Sequence, residues 1–190
     1  MRWLAFFLWV SLSCHATRIT EVDPRLAAEV RDRIESMRRD LPPVHVLSAP
    51  RTSDGAFAVC YDDRIVLGRD ALADRRFWVA HELVHWFIDA SPLAGLPHFV
   101  EEGVADWISC ELTGLLTARF AEADRIGRLR VPREHLALSA REAGSLPLAD
   151  RETLDRAGFD IVRRLGLERL HELAARGAAP DAYLFAAGIE

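Results

Sequence analysis

Two histidines four residues apart, His81 and His85, frame Glu82 in the run HELVH, and two adjacent glutamates, Glu101 and Glu102, follow in HFVEEGVADW. On a helix, residues four apart share one face with Cβ atoms about 5–6 Å apart, so both imidazoles can address a single cation. A catalytic Zn2+ takes three protein ligands and keeps one position for water, so a third donor must come from elsewhere in the chain. Glu101 and Glu102 are the nearest. A ligating imidazole usually gives its other N–H to a carboxylate or carbonyl, and only Glu102 has an acid four residues further on. Asp106 would share its helix face and orient His81, whereas Ala105 follows Glu101 at that spacing. Glu102 is therefore the expected ligand, with Glu101 a solvated or hydrogen-bonding neighbour. Glu82, about 100° around the axis from His81, flanks the cation without ligating it and is placed to take a proton from a zinc-acidified water. Such a set suits hydrolysis of an amide. The plainer reading is two amphipathic helices with ordinary polar side chains; the ordered series of HExxH, short loop, Glu and a further acid argues against it.

These residues need two helices to hold them. A helical pattern runs from Asp74 to about Asp89, SPLAG ends it, and Pro97 opens a second helix that reaches about Leu112. If the connection folds them antiparallel, His85 near the end of one and Glu102 near the start of the next lie at similar depth. Upstream, Asp23 and Pro24 start a helix whose apolar residues Leu26, Val30, Ile34, Met37 and Leu41 form a core face. PPVHVLSA and AFAVCYDDRIVLG, separated by the TSDG turn, read as short strands of a small sheet, with His45 a satisfied structural residue of the first. From Thr113 onward the chain is rich in Arg, Glu and Ala at helical spacing, most clearly in LDRAGFDIVRRLGLERLHELAAR. The expected architecture is one α+β domain over 17–190, with an upper sheet-containing lobe and active-site helix at 17–89 and a lower helical lobe at 90–190.

Composition narrows the classes of function. A net charge of -5, from 24 basic against 29 acidic residues, offers no electrostatic footprint for nucleic acid or an anionic membrane. At the start, MRWLAFFLWVSLSCHA places one Arg before an apolar run that is too short for a spanning helix and then small residues, the layout of a secretory signal over 1–16. The expected destination is extracytoplasmic, a bacterial periplasm or the medium, with no transmembrane helix in the mature protein. Cleavage after Ala16 and lipidation at Cys14 are the two processing routes; Ser11 stands where lipoprotein signals usually carry Leu, which disfavours the second. Cys60 and Cys110 then remain, either as a disulfide or as two separate thiols.

HELVH followed by EEGVAD resembles the gluzincin metallopeptidases, the thermolysin and aminopeptidase N group, whose pattern is HExxH followed by ExxxD. FVEEGVADW is similar to their glutamate helix, and the short chain is similar to the minigluzincins, or peptidase-MA-like domains, over about residues 25 to 112. The resemblance implies a zincin-like sheet packed on the HExxH and glutamate helices, a mainly helical C-terminal lobe and a cleft between the lobes. It also implies that RIVLG is the strand along the cleft edge, where Ile65, Val66 and Leu67 would bind an extended peptide through main-chain hydrogen bonds; a plain core strand is the competing view. Family members usually add a Tyr or His that binds the oxyanion. Asp155 stands near the position where a Tyr often precedes the late glycine, and His135, His171 and Tyr183 are candidates by residue type alone. His98, in the first turn of the second helix, is read as a surface residue or hydrogen-bonding neighbour rather than a ligand. The expected activity is a zinc-dependent, exported peptidase acting on peptide or protein substrates, an endopeptidase because no exopeptidase motif is present. The alternative is a zinc-binding envelope domain that binds peptides without turnover.

Overall fold

The structure, a computed structural model, describes residues 17–39, 45–50, 57–61, 63–115 and 131–189. The expected signal at 1–16 with Cys14, the predicted core residue Leu41 and the TSDG turn lie outside the described residues. The elements are β1 (Thr17–Glu21), α1 (Pro24–Arg33), β2 (His45–Ala49), β3 (Ala58–Tyr61), β4 (Arg64–Gly68), α2 (Arg75–Ile88), α3 (His98–Thr113), α4 (Ala140–Gly144), α5 (Leu148–Ala175) and α6 (Pro180–Ala186). Single 3-10 turns fall at Arg69–Ala71 and Arg133–His135. The described chain is thus a small mixed sheet with six α-helices, consistent with the α+β class. None of the described helices is long and apolar enough to cross a membrane.

The strand order is β1-β2-β4-β3, with β2 and β4 parallel and the outer strands antiparallel to their neighbours. This corrects the expectation for RIVLG. β4 is hydrogen-bonded on both sides, so its backbone is not open to a peptide, and Ile65 and Leu67, 0% exposed, are core. On that side of the sheet the edge strand is β3. β1 was not foreseen: TRITE is short and mostly polar, so alternation gives little signal there.

α1 starts as its sequence dictates. Asp23 accepts a hydrogen bond from the Arg25 amide and Pro24 takes the first helical position, while Leu26, Ala27 and Val30 face the core. The helix ends sooner than its apolar periodicity suggests. Ile34 caps it, Glu35 adopts a φ of 54° that turns the chain away, and Met37 is 83% exposed instead of buried.

α2 is apolar nearly all round because it is buried nearly all round, with the sheet, α1 and α3 packed about it. Asp74 occupies its N-cap position without a side-chain bond to the helix. α3 runs antiparallel to α2: His81 meets Asp106 while His85, one turn later, meets Glu101. α3 also packs on α5, where two glycines meet. A Cβ at Gly103 would lie 2.1 Å from the Gly158 carbonyl carbon, and one at Gly158 would lie 1.9 Å from the Phe99 oxygen. Only hydrogen fits at either position, so the backbones touch. α5 carries the predicted helical segment from Leu154 but is interrupted at Gly166, where φ is 71° and ψ 166°.

Candidate metal centre

α2 and α3 bring five of the predicted site residues into one polar cluster inside an apolar core. His81, Glu82 and Asp106 are buried, at 6%, 6% and 1% exposure, and His85 and Glu102 are partly so. The His81 and His85 Nε2 atoms lie 3.2 Å apart; His81 Nε2 is 3.3 Å from Glu102 Oε2, and His85 Nε2 is 3.4 Å from Glu102 Oε1. Behind them, His81 Nδ1 is bonded to Asp106 Oδ1 at 2.9 Å and His85 Nδ1 to Glu101 Oε1 at 2.6 Å.

That outer pair of bonds fixes the chemistry of the inner atoms. A carboxylate can only accept, so each Nδ1 carries the hydrogen and each Nε2 directs its lone pair inward. Two such lone pairs and a carboxylate repel unless a positive charge lies between them. A proton or a cation can supply it. A tetrahedral ion with bonds of about 2.0–2.1 Å sets neighbouring donors roughly 3.3 Å apart, which matches the observed spacings. His81, His85 and Glu102 could therefore hold a metal ion.

With protons in that place the electrostatics are strongly shifted. Burial alone would lower His81, but Asp106 and Glu102 outweigh it and raise the imidazole well above its usual value. Burial likewise opposes protonation of His85, and Glu102 with Glu101 overrides it, lifting His85 to about 9. For Glu102, burial pushes upward, yet His85, His81 and His98 hold its carboxyl well below the usual range. Glu82 behaves in the opposite way: burial raises it, and His81, His85 and a backbone hydrogen bond from Cys60 offset only part of that rise. Two carboxylates of one cluster are thus driven apart, one toward permanent ionisation and one toward holding a proton.

The other predicted residues fall elsewhere. Ile65, Val66 and Leu67 belong to the interior strand β4, while the strand that touches the cluster is β3, through Cys60. Cys60 and Cys110 are not joined by a disulfide. Tyr183 is buried on α6, where burial raises its phenol, and His171 is exposed on α5; among the described residues neither they nor His135 bonds to the cluster. His45 has a buried Nδ1 without a hydrogen-bond partner, so it is not the satisfied strand residue expected. His98 does reach the cluster, with its Nδ1 3.7 Å from Glu102 Oε1. Of the two readings of Glu101, the structure gives the hydrogen-bonding one. An acid four residues beyond a ligand was the sequence signal used, and it finds Asp106 but not Glu101, whose partner comes from the antiparallel crossing. Comparison of the chain with protein-family models, curated proteins and solved structures returned no match.

Proposed function

We propose that the chain is an exported zinc metallopeptidase of gluzincin type, with His81, His85 and Glu102 as ligands, Glu82 as general base and Asp106 as the carboxylate orienting His81. The observation that carries this reading is the convergence of two Nε2 atoms and a carboxylate within 4.8 Å of one another, beside a buried glutamate that shares no bond with them. Two imidazoles and one carboxylate suit zinc better than the all-oxygen preference of calcium or magnesium. When bound, such a cation polarises a carbonyl and acidifies water near neutral pH.

The chain's own residues do the rest. Glu82, raised by burial, accepts the proton that the attacking water loses as its oxygen adds to the peptide carbon, and then passes it to the departing amine as the C–N bond breaks. Its bond from the Cys60 amide aims the carboxylate. A peptide lying along the outer edge of β3 would pass the same point, since β3 supplies that amide and has its far side unpaired among the described strands. The zincin-like arrangement of sheet, paired helices and helical C-terminal lobe belongs to this reading. So do the secretory signal over 1–16 and an extracytoplasmic location.

The test is product detection by mass spectrometry from a diverse peptide mixture, with the zinc-loaded mature chain beside its Glu82→Gln variant. Products from the wild type alone are expected. Equal cleavage by both would refute the role of Glu82. A second reading, a zinc-binding domain that holds peptides without turnover, is favoured by one observation: among the described residues none of His135, His171 and Tyr183, the oxyanion candidates of the C-terminal half, bonds to the cluster. Stoichiometric zinc with peptide affinity and no products would select it.

A further inference from the structure

We propose that His98 is the positioning residue for Glu102, completing a set in which each of the three candidate ligands is held by one side chain of α3. This rests on reading the cluster as a metal centre. His81 is held by Asp106 at 2.9 Å and His85 by Glu101 at 2.6 Å. A ligating carboxylate has the converse need, a donor for the oxygen lone pairs that do not face the ion. Among the described residues, only His81, His85 and His98 bring a polar atom to Glu102. The first two point their bare Nε2 atoms inward, so His98 alone can donate.

The geometry of α3 places it there. His98 and Glu102 are four residues apart on one helix and so share a face. Its Nδ1 stands 3.7 Å from Glu102 Oε1, roughly 0.5 Å beyond hydrogen-bond length, a gap that a small turn of either side chain closes. The ring has no other polar partner among the described residues, and with its side chain 23% exposed it is not part of the core. Held through Oε1, Glu102 would keep Oε2, 3.3 Å from His81 Nε2, for an ion. Released, the carboxylate would be free to turn both oxygens toward an ion. The arrangement is reciprocal: two carboxylates orient two imidazoles, and an imidazole orients the carboxylate.

Three forms of the full mature chain test this: wild type, His98→Phe and His98→Gln, each titrated with Co2+ and competed for Zn2+ with a chromophoric chelator. The visible band of bound cobalt reports coordination geometry without any substrate. His98→Phe is expected to weaken zinc binding about 10- to 100-fold and to alter the cobalt band, while His98→Gln, which keeps an N–H at similar reach, restores both toward wild type. The thermal midpoint of the chelator-treated protein should be the same in all three. A His98→Phe variant with wild-type affinity and spectrum would overturn the proposal, as would loss of stoichiometric binding in both variants, which would make His98 a ligand itself. A wild type that takes up no cobalt would instead remove the metal reading on which it depends.

Discussion

α3 packs against two neighbouring helices, and the two contacts are built on different physics. Toward α2 it offers Glu101, Glu102 and Asp106 to two imidazoles, a buried contact made of charges and lone pairs. Toward α5 it closes to backbone contact where Gly103 meets Gly158, with the Trp107 ring packed on Phe159 beside it. The first contact depends on what titrates or binds between its atoms. The second depends on close packing. Chemistry can therefore vary at one contact while close packing at the other fixes the position of the helix.

Perturbing the two faces separates these effects. The largest change is expected in turnover: Glu82→Gln keeps the charge-neutral shape of a protonated glutamate but cannot take a proton, so peptide hydrolysis should fall by about 10²- to 10⁴-fold while zinc stoichiometry stays at one, measured by product formation and metal analysis. At the steric contact, Gly158→Ala places a carbon 1.9 Å from the Phe99 oxygen, far inside van der Waals contact. It should cost at least about 1–3 kcal/mol in urea unfolding, equally at pH 6 and pH 9. An effect that varied with pH would show that the two faces are coupled.

Within the polar face, Asp106→Asn should weaken zinc binding by about 10- to 100-fold, and Glu101→Gln by less, because the side chain of Asp106 is 2% exposed and that of Glu101 26%. The reverse order in a competition titration would mean that His85, not His81, is the ligand more dependent on its support. The smallest effect is on pH dependence. His85 is raised from 6.5 to about 9, so in the absence of a cation its ion pairs stabilise the fold fully below pH 6.5 and are lost as pH rises through about 9. A chelator-treated sample should lose thermal stability over that window. Zinc must displace the same protons, so its affinity should rise across it. A stability of the chelated form that is flat from pH 6.5 to 9 would contradict the protonated cluster.

What could be read in the sequence was what helix periodicity controls. His81, Glu82, His85, Glu102 and Asp106 are spaced by one turn or adjacent, so a local rule places them on two faces before any tertiary structure is known. Asp23 and Pro24 start α1 for equally local reasons. β4 failed as an edge strand because strand order is set by which distant segment pairs on each side, and RIVLG looks the same in either place. Met37 keeps the helical spacing of a core residue, but a positive φ at Glu35 moves it to the surface. Glu101 gains its role only from the angle at which α3 crosses α2.

Every candidate ligand and each of its supports lies between His81 and Asp106, on two consecutive helices joined by residues 89–97. The glycine contact joins residues 103 and 158, and the sheet must bring β1 to β2. Loop-closure entropy grows with the separation it spans, so the polar cluster costs less to close than the Gly103–Gly158 contact. Low contact order of this kind favours early assembly. In a refolding chain the helical hairpin can accordingly gather His81, His85 and Glu102 before the C-terminal helices dock onto it.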